Sequence, residues 1–189
     1  MQTTGQMPAP LRIDTEDHAL GNAAAGIVLV QYGDYECPLC TQVHPVIEAV
    51  IEAMQHQVRF VWRHFPLVTA HPHAMRAAAA VEAADRQGLF WPMHQQVAAH
   101  PAGLEDPALR AYARAIGADV ERFARDVDAA SAIERVCRDI ATGELLGVRA
   151  TPTFFVNGAR FDISYGVDRL QQALRKMAQA GAPAAQVVL

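Results

Sequence analysis

The sequence predicts an α/β fold: a mixed sheet made of a βαβ half and a ββα half, with an all-helical block inserted at about residues 66–147. Three observations lead there. A continuous apolar run at 27–32, bounded by Gly26 and Gly33, reads as a strand buried on both faces. A second β-rich run, VRFVWRHF at 58–65, follows it after one helix-length segment. Near the C-terminus, Asn157-Gly158 joins two more short β-rich runs, and the residues between the halves carry helical periodicity with no convincing strand.

The elements follow in order. After a start rich in Pro, Thr and Gly, LRI at 11–13 is read as a short edge strand. From Pro38, apolar side chains at Leu39, Val43, Val46, Ile47, Val50, Ile51 and Met54 make the stripe of an amphipathic helix. Pro38 suits the first helical position, where its missing N–H costs nothing, whereas Pro45 removes an interior hydrogen bond and predicts a bend. Strand, helix and strand over 27–65 require a right-handed crossover and parallel strands. Helices are then expected at 73–87, 89–99, 106–117 and 119–127. Ser131 and Glu134 form a capping box, and Ile133, Val136, Cys137 and Ile140 are read as the apolar face of the helix that follows. A strand at 153–156 and its return at 160–163 flank the hairpin turn, and a last helix carries Val167, Leu170, Leu174 and Met177 before stopping at Gly181. Neither a repeat nor a linker divides the chain, so one domain over 1–189 is expected.

Composition narrows the function. Hydrophobic residues are 51% and charged residues 19%, ordinary for a folded domain. With 16 basic and 20 acidic residues, a net charge of -4 and no basic run, nucleic acid is excluded as a partner. No apolar stretch approaches the roughly 18 residues of a membrane span. The first 26 residues lack a basic start followed by an apolar core, so if Met1 is the natural start a cytoplasmic location is expected; a trimmed leader would change that. Three cysteines are too few for a disulfide-stapled scaffold.

Two of those cysteines carry the chemistry. Cys37-Pro38-Leu39-Cys40 lies just after a buried strand and opens a helix, where unpaired backbone N–H groups and the positive end of the helix dipole favour a thiolate. Cys37 is therefore read as the nucleophile, and Cys40, one turn on and deeper, as the thiol that resolves a mixed disulfide. A zinc site would need two further ligands at matched spacing, and only scattered candidates such as His44, His64, His71, His73 and Cys137 exist, so no metal is expected. Cys137 itself is read as a buried small hydrophobe, with a regulatory thiol as the alternative. Asp34 and Glu36 are read as solvated loop charges; close to Cys37 they would raise its pKa, or one could shuttle a proton for Cys40. His71 and His73 are read as loop histidines that need no partner, and Phe90, Trp91 and Met93 stay unassigned between core and peptide groove. Thr151-Pro152, ahead of a strand, is either a trans boundary or a cis turn that offers Thr151 backbone groups to an extended substrate; beside a redox motif the cis reading is favoured.

VLVQYGDYECPLC, Pro45, RHFPL, the helical block and GVRATPTFFVNG with its hairpin and helix resemble the DsbA-like branch of the thioredoxin superfamily over about residues 24–176. The resemblance implies a thioredoxin-like fold and a thiol:disulfide oxidoreductase without a cofactor, acting on protein or peptide thiols and disulfides, with glutathione or another redox partner as a candidate. It implies Cys37 as attacking thiol, Cys40 as resolving thiol, a cis Pro152 beside them with Thr151 preceding it, and a helical insertion that caps the site. Strongly oxidising members have histidine in the third motif position where this chain has Leu39, so Cys37 is expected to be less acidic here and its disulfide less oxidising. The alternatives are a glutathione-using transferase or isomerase of the same fold, against which the intact CxxC argues, and a non-enzymatic redox-sensing or metal-binding module.

Overall fold

The computed structural model describes residues 11–181. Among them the order is β1 (His18–Leu20), β2 (Ile27–Gly33), α1 (Pro38–Met54), β3 (Val58–His64), α2 (Ala74–Asp85), α3 (Phe90–Ala99), α4 (Asp106–Ala115), α5 (Val120–Val127), α6 (Ala130–Leu145), β4 (Thr153–Val156), β5 (Ala159–Phe161) and α7 (Val167–Gln179). The strands form one mixed sheet in the order β1-β3-β2-β4-β5, so the predicted architecture of two sheet-forming halves around a helical block is what the chain adopts.

The apolar run that predicted β2 is buried at every residue, as a strand flanked by neighbours on both sides requires. Its pairing with β3 is parallel: the Ile27 N–H donates to the Gln57 carbonyl at 3.1 Å and the Phe65 N–H to the Gly33 carbonyl at 2.8 Å, so partners ascend together along both segments. On the other side β4 runs antiparallel, with Leu29 opposite Val156 and Tyr32 opposite Thr153, and β5 returns antiparallel to β4. The turn between them places Asn157 at φ 46° and Gly158 at φ 84°, the pair of positive angles that an Asn-Gly hairpin supplies. The Asn157 side chain adds a lock, accepting from the Val28 N–H at 2.7 Å and donating to the Gly26 carbonyl at 3.1 Å.

The expected edge strand is displaced. Residues 11–13 are not a strand; Leu11 and Ile13 are buried instead, and the edge is β1, antiparallel to β3 with His18 opposite Trp62. The reason is a buried charge pair that periodicity could not show. Arg63 on β3 donates from Nε and Nη2 to the two carboxylate oxygens of Asp17, both at 2.9 Å, and also to the Arg12 carbonyl and the Tyr32 hydroxyl. This fork holds the segment that precedes β1 and leaves no ladder for 11–13.

The described chain packs as two compact units. One runs to Tyr32, takes in Val43–Arg63 and resumes at Pro152, and so contains most of the sheet, the later turns of α1 and α7. Its helices bury the predicted stripes: Val43, Ile47, Val50 and Met54 on α1, and Leu170 and Leu174 on α7. Pro45 lies inside α1, which continues through it as one helix. The other unit comprises Gly33–Gln42 and His64–Thr151, the CPLC segment together with the helical block. At its centre α2 touches α3, α4, α5 and α6. Its alanines at 74, 77–80, 83 and 84 are all buried, and such small side chains let four helices close around a fifth.

Helix α6 departs from its predicted orientation. It starts at Ala130 with Ala129 as its cap, so the Ser131–Glu134 capping box does not form; the Ser131 hydroxyl accepts a hydrogen bond from Arg86 instead. The buried face is Ala132, Arg135, Val136, Asp139 and Gly143, while Ile133 and Cys137 are exposed. Two buried charges turned the helix: Arg135 pairs with Asp139 at 3.2 Å, and Asp139 accepts from the His64 N–H at 2.9 Å.

Asp17→Ala leaves the Arg63 guanidinium buried without its carboxylate, and it is expected to cost about 3 kcal/mol of folding stability. Urea unfolding checks it; a change below about half a kcal/mol would show the pair to be dispensable.

Candidate active site

The site is built where β2 ends. Past Gly33 the chain turns through residues 34–36, and the Cys37 N–H donates to the Asp34 carbonyl at 3.3 Å. The Cys37 carbonyl accepts from the Thr41 N–H at 3.1 Å, the first bond of α1, so Cys37 is the residue on which the helix begins and Pro38 takes its first helical position. The predicted strand-to-helix placement of the motif is therefore present.

Cys37 and Cys40 are both free thiols. Accessibility does not separate their roles, since Cys37 is 6% and Cys40 5% exposed. Electrostatics does. A hydrogen bond from the Cys40 thiol outweighs the upward push of burial and, with Thr151 and the backbone N–H groups of Cys40 and Leu39, holds the Cys37 pKa down at about 5. The same hydrogen bond, burial and the charge on Cys37 drive the Cys40 thiol far up. The two sulfurs are thus set apart, the Cys37 thiol far more acidic than the Cys40 thiol.

Thr151 joins the pair. In the thiol state Cys37 Sγ donates to the Thr151 carbonyl at 3.3 Å. The Thr151 hydroxyl is buried and has no hydrogen-bond partner among the described residues, and Thr151 is one of the groups that lower the Cys37 pKa. Pro152 follows, buried, at the head of β4. The structure brings Cys37, Cys40 and Thr151 together.

The acidic residues ahead of Cys37 correct the sequence reading. Asp34 is no solvated loop charge: it is buried, and its carboxylate accepts from the Glu36 N–H at 2.8 Å, the Leu67 N–H at 2.8 Å and His71 Nδ1 at 2.7 Å. Glu36 accepts from the His73 N–H at 2.7 Å. The loop histidine expected to need no partner, His71, therefore has one. Tyr35, between the two acids, is buried with its hydroxyl 2.8 Å from His94 Nδ1, and its ring lies 5.9 Å from that of His64. Spacing gave no hint of the Asp34–His71, Glu36–His73 and Tyr35–His94 pairs, because their members lie 37 to 59 residues apart.

The remaining candidates separate cleanly. Phe90 and Met93 are core, with Phe90, Trp91 and His94 rings clustered at 5.0 to 6.0 Å. Cys137, expected to be buried, is exposed on α6 because Arg135 and Asp139 take the inner face. Leu39 is 45% exposed, so the third motif position presents an apolar side chain to solvent.

A sequence model described as Thioredoxin matches residues 14–176. The chain belongs to the thioredoxin family. In fold it is similar to Wolbachia pipientis alpha-DsbA1, on which it superposes with a TM-score of 0.78 at 18% identity, covering 90% of this chain and 94% of that one. A thioredoxin-like oxidoreductase from Silicibacter pomeroyi DSS-3 superposes with a TM-score of 0.76 at 26% identity, covering 88% and 94%. Curated relatives include the Na(+)/H(+) antiporter NhaA 1 of Salinispora arenicola, 39% identical over 158 residues, and NhaA 1 of Mycobacterium sp. strain KMS, 42% identical over 165 residues. These matches take in 84% and 86% of this chain but only 24% and 27% of the antiporters, so this thioredoxin chain spans about a quarter of the length of those relatives.

With the Cys37 pKa at about 5, alkylation of this thiol is expected to accelerate as pH rises through 5 and to level off by pH 7. Cys40→Ala removes the strongest stabiliser of the thiolate and is expected to move that midpoint upward toward the ordinary thiol range. Quench-timed mass spectrometry of iodoacetamide adducts reads both, and a rate still climbing between pH 8 and 9 in the native chain would contradict the assignment.

Proposed function

We propose that this chain is a thiol:disulfide oxidoreductase acting on protein thiols and disulfides, with Cys37 as the exchanging sulfur and Cys40 as the resolving one. The observation that carries the reading is the asymmetry of the pair, one thiol held at about pKa 5 and its neighbour driven far up. The fold shared with DsbA-like proteins and the membership of the thioredoxin family support it.

In the oxidising direction a substrate thiolate attacks Cys37 Sγ of the Cys37–Cys40 disulfide, the S–S bond breaks, and Cys40 leaves and takes up a proton. A second substrate thiolate then attacks the substrate sulfur of the mixed disulfide, and Cys37 leaves as a thiolate. The substrate has lost two electrons and two protons, one proton going to Cys40 and the other to solvent, and the protein holds the Cys40 thiol beside the Cys37 thiolate. Reduction runs the same steps backwards, with Cys37 attacking and Cys40 resolving. Thr151 and a cis Pro152 serve the mixed disulfide in this reading, pairing their backbone with an extended segment of substrate.

The low pKa also sets a direction. In an unfolded chain a cysteine titrates near 8.5, so the folded thiolate stabilises the reduced form fully above that pH and loses its contribution as pH falls through about 5. At neutral pH this amounts to about 2–3 kcal/mol, which favours the dithiol and makes the disulfide more oxidising. A pKa of about 5 lies between the roughly 3.5 of the strongest oxidant of this fold and the roughly 7 of thioredoxin. Its reduction potential is therefore expected between about -270 and about -120 mV.

The identity to antiporter segments favours a second reading of the partner, a redox domain that works on thiols of a membrane transporter. Capture decides between the two. Cys37→Ser is expected to abolish exchange with a model protein disulfide, whereas Cys40→Ser accumulates a covalent complex whose substrate is identified by mass spectrometry. Exchange at the native rate in the Cys37→Ser protein would refute the mechanism, and a glutathione-dependent activity that survives loss of Cys40 would favour a transferase. Equilibration with glutathione buffers measures the potential.

A further inference from the structure

The CPLC motif offers Leu39 where a basic side chain would assist the thiolate, and a buried carboxylate, Asp34, lies three residues before Cys37. An uncompensated negative charge in that position opposes a second one on sulfur, and burial prevents water from screening it. The structure places a base at the other side of the carboxylate. His71 Nδ1 lies 2.7 Å from Asp34 Oδ2, the same oxygen that accepts the Leu67 N–H. Asp34 in turn carries the carbonyl to which the Cys37 N–H is bonded. The His71 side chain is 17% exposed, so its far edge exchanges protons with solvent while its Nδ1 is engaged.

We propose that His71 is a positioning residue for the redox centre: protonated on Asp34, it neutralises the buried carboxylate and so permits Cys37 to exist as a thiolate. The inference rests on the reading of Cys37 as the exchanging thiol. The groups facing the imidazole are Asp34, Glu36 and Cys37, and those facing the thiolate are Cys40, Thr151 and the first backbone N–H groups of α1. Partial burial lowers the His71 pKa, but the hydrogen bond and charge of Asp34, followed by the charges of Cys37 and Glu36, overcome it and leave the imidazole more basic than usual. This gives His71 a positive charge across the pH range in which Cys37 loses its own proton. The role is one no spacing rule assigns, since the charge arrives from the loop after β3 rather than from within the motif.

Interaction between the two groups is reciprocal, which supplies a test on the unmutated protein. When Cys37 and Cys40 are joined in a disulfide the thiolate is gone, so the His71 pKa followed by NMR is expected to be lower in the disulfide form than in the dithiol form. Equal values in the two forms would overturn the proposal. The complementary measurement is the thiolate absorbance of Cys37 against pH in a Cys137→Ser background. His71→Asn keeps a hydrogen-bond donor beside Asp34 but removes the charge, and it is expected to raise the Cys37 midpoint by about one pH unit. Adding Asp34→Asn to that variant removes the unbalanced carboxylate and is expected to bring the midpoint back down. A purely structural role for His71 predicts the opposite, with the double variant worse than the single. A Cys37 midpoint near 5 that does not move in His71→Asn defeats the proposal while leaving the oxidoreductase reading intact; an ordinary thiol in the unmutated chain defeats both.

Discussion

The candidate site depends on one buried carboxylate. Asp34 collects donors from three places: the Glu36 N–H within its own turn, the Leu67 N–H and the His71 ring. A carboxylate with little access to water must find such partners or lose its charge, and here the partners come from the loop that follows β3. Satisfying Asp34 therefore fixes two loops against each other. The Cys37 N–H is bonded to the carbonyl of the same residue, so the first turn of α1 inherits that placement. Truncate the Asp34 side chain and the sulfur keeps its neighbours in sequence but loses the hydrogen bonds that tie the turn before it to the loop after β3.

The asymmetry between the two sulfurs follows from that frame. Both cysteines are nearly buried, and burial alone would push both pKa values up. What splits them is that the Cys40 thiol donates to Cys37, a bond that stabilises negative charge on one sulfur by keeping the proton on the other. Helical spacing supplies the geometry, since residues three apart share a face of the first turn. The absence of a basic third motif residue weakens this arrangement without abolishing it, because the leading stabiliser is the partner thiol and not the side chain at Leu39.

Much of this was legible in the chain itself. The buried strand at Ile27–Gly33, the helix from Pro38, the parallel crossover and the Asn157-Gly158 hairpin all follow from local patterning, because each is decided by side-chain period or turn chemistry within a dozen residues. The place of Cys37 and Cys40 between a buried strand and a helix was legible for the same reason. The failures share a different cause. The edge strand at 11–13, the solvated Asp34, the partnerless His71 and the buried Cys137 were all misread where a charged side chain, Arg63, Asp34 or Asp139, went inside with a partner far away in sequence. Patterning assumes that charged residues face water; Arg63, Asp34, Arg135 and Asp139 do not.

The same buried polar groups explain why the CPLC segment packs with the helical block. Residues 33–42 share a compact unit with His64–Thr151, and each residue from Asp34 to Glu36 sends a hydrogen bond or accepts one there: Asp34 at Leu67 and His71, Tyr35 at His94 on α3, Glu36 at His73. Burial pushes the Tyr35 hydroxyl pKa well up, and the charges of Glu82 and Asp139 add to it, so this phenol keeps its proton and its hydrogen bond throughout the range in which Cys37 titrates. Three consecutive residues held in this way leave the turn before Cys37 little freedom. The helical block is consequently part of what sets the chemistry of the dithiol, and substitutions among its histidines reach the sulfur through hydrogen bonds that pass by the sheet altogether.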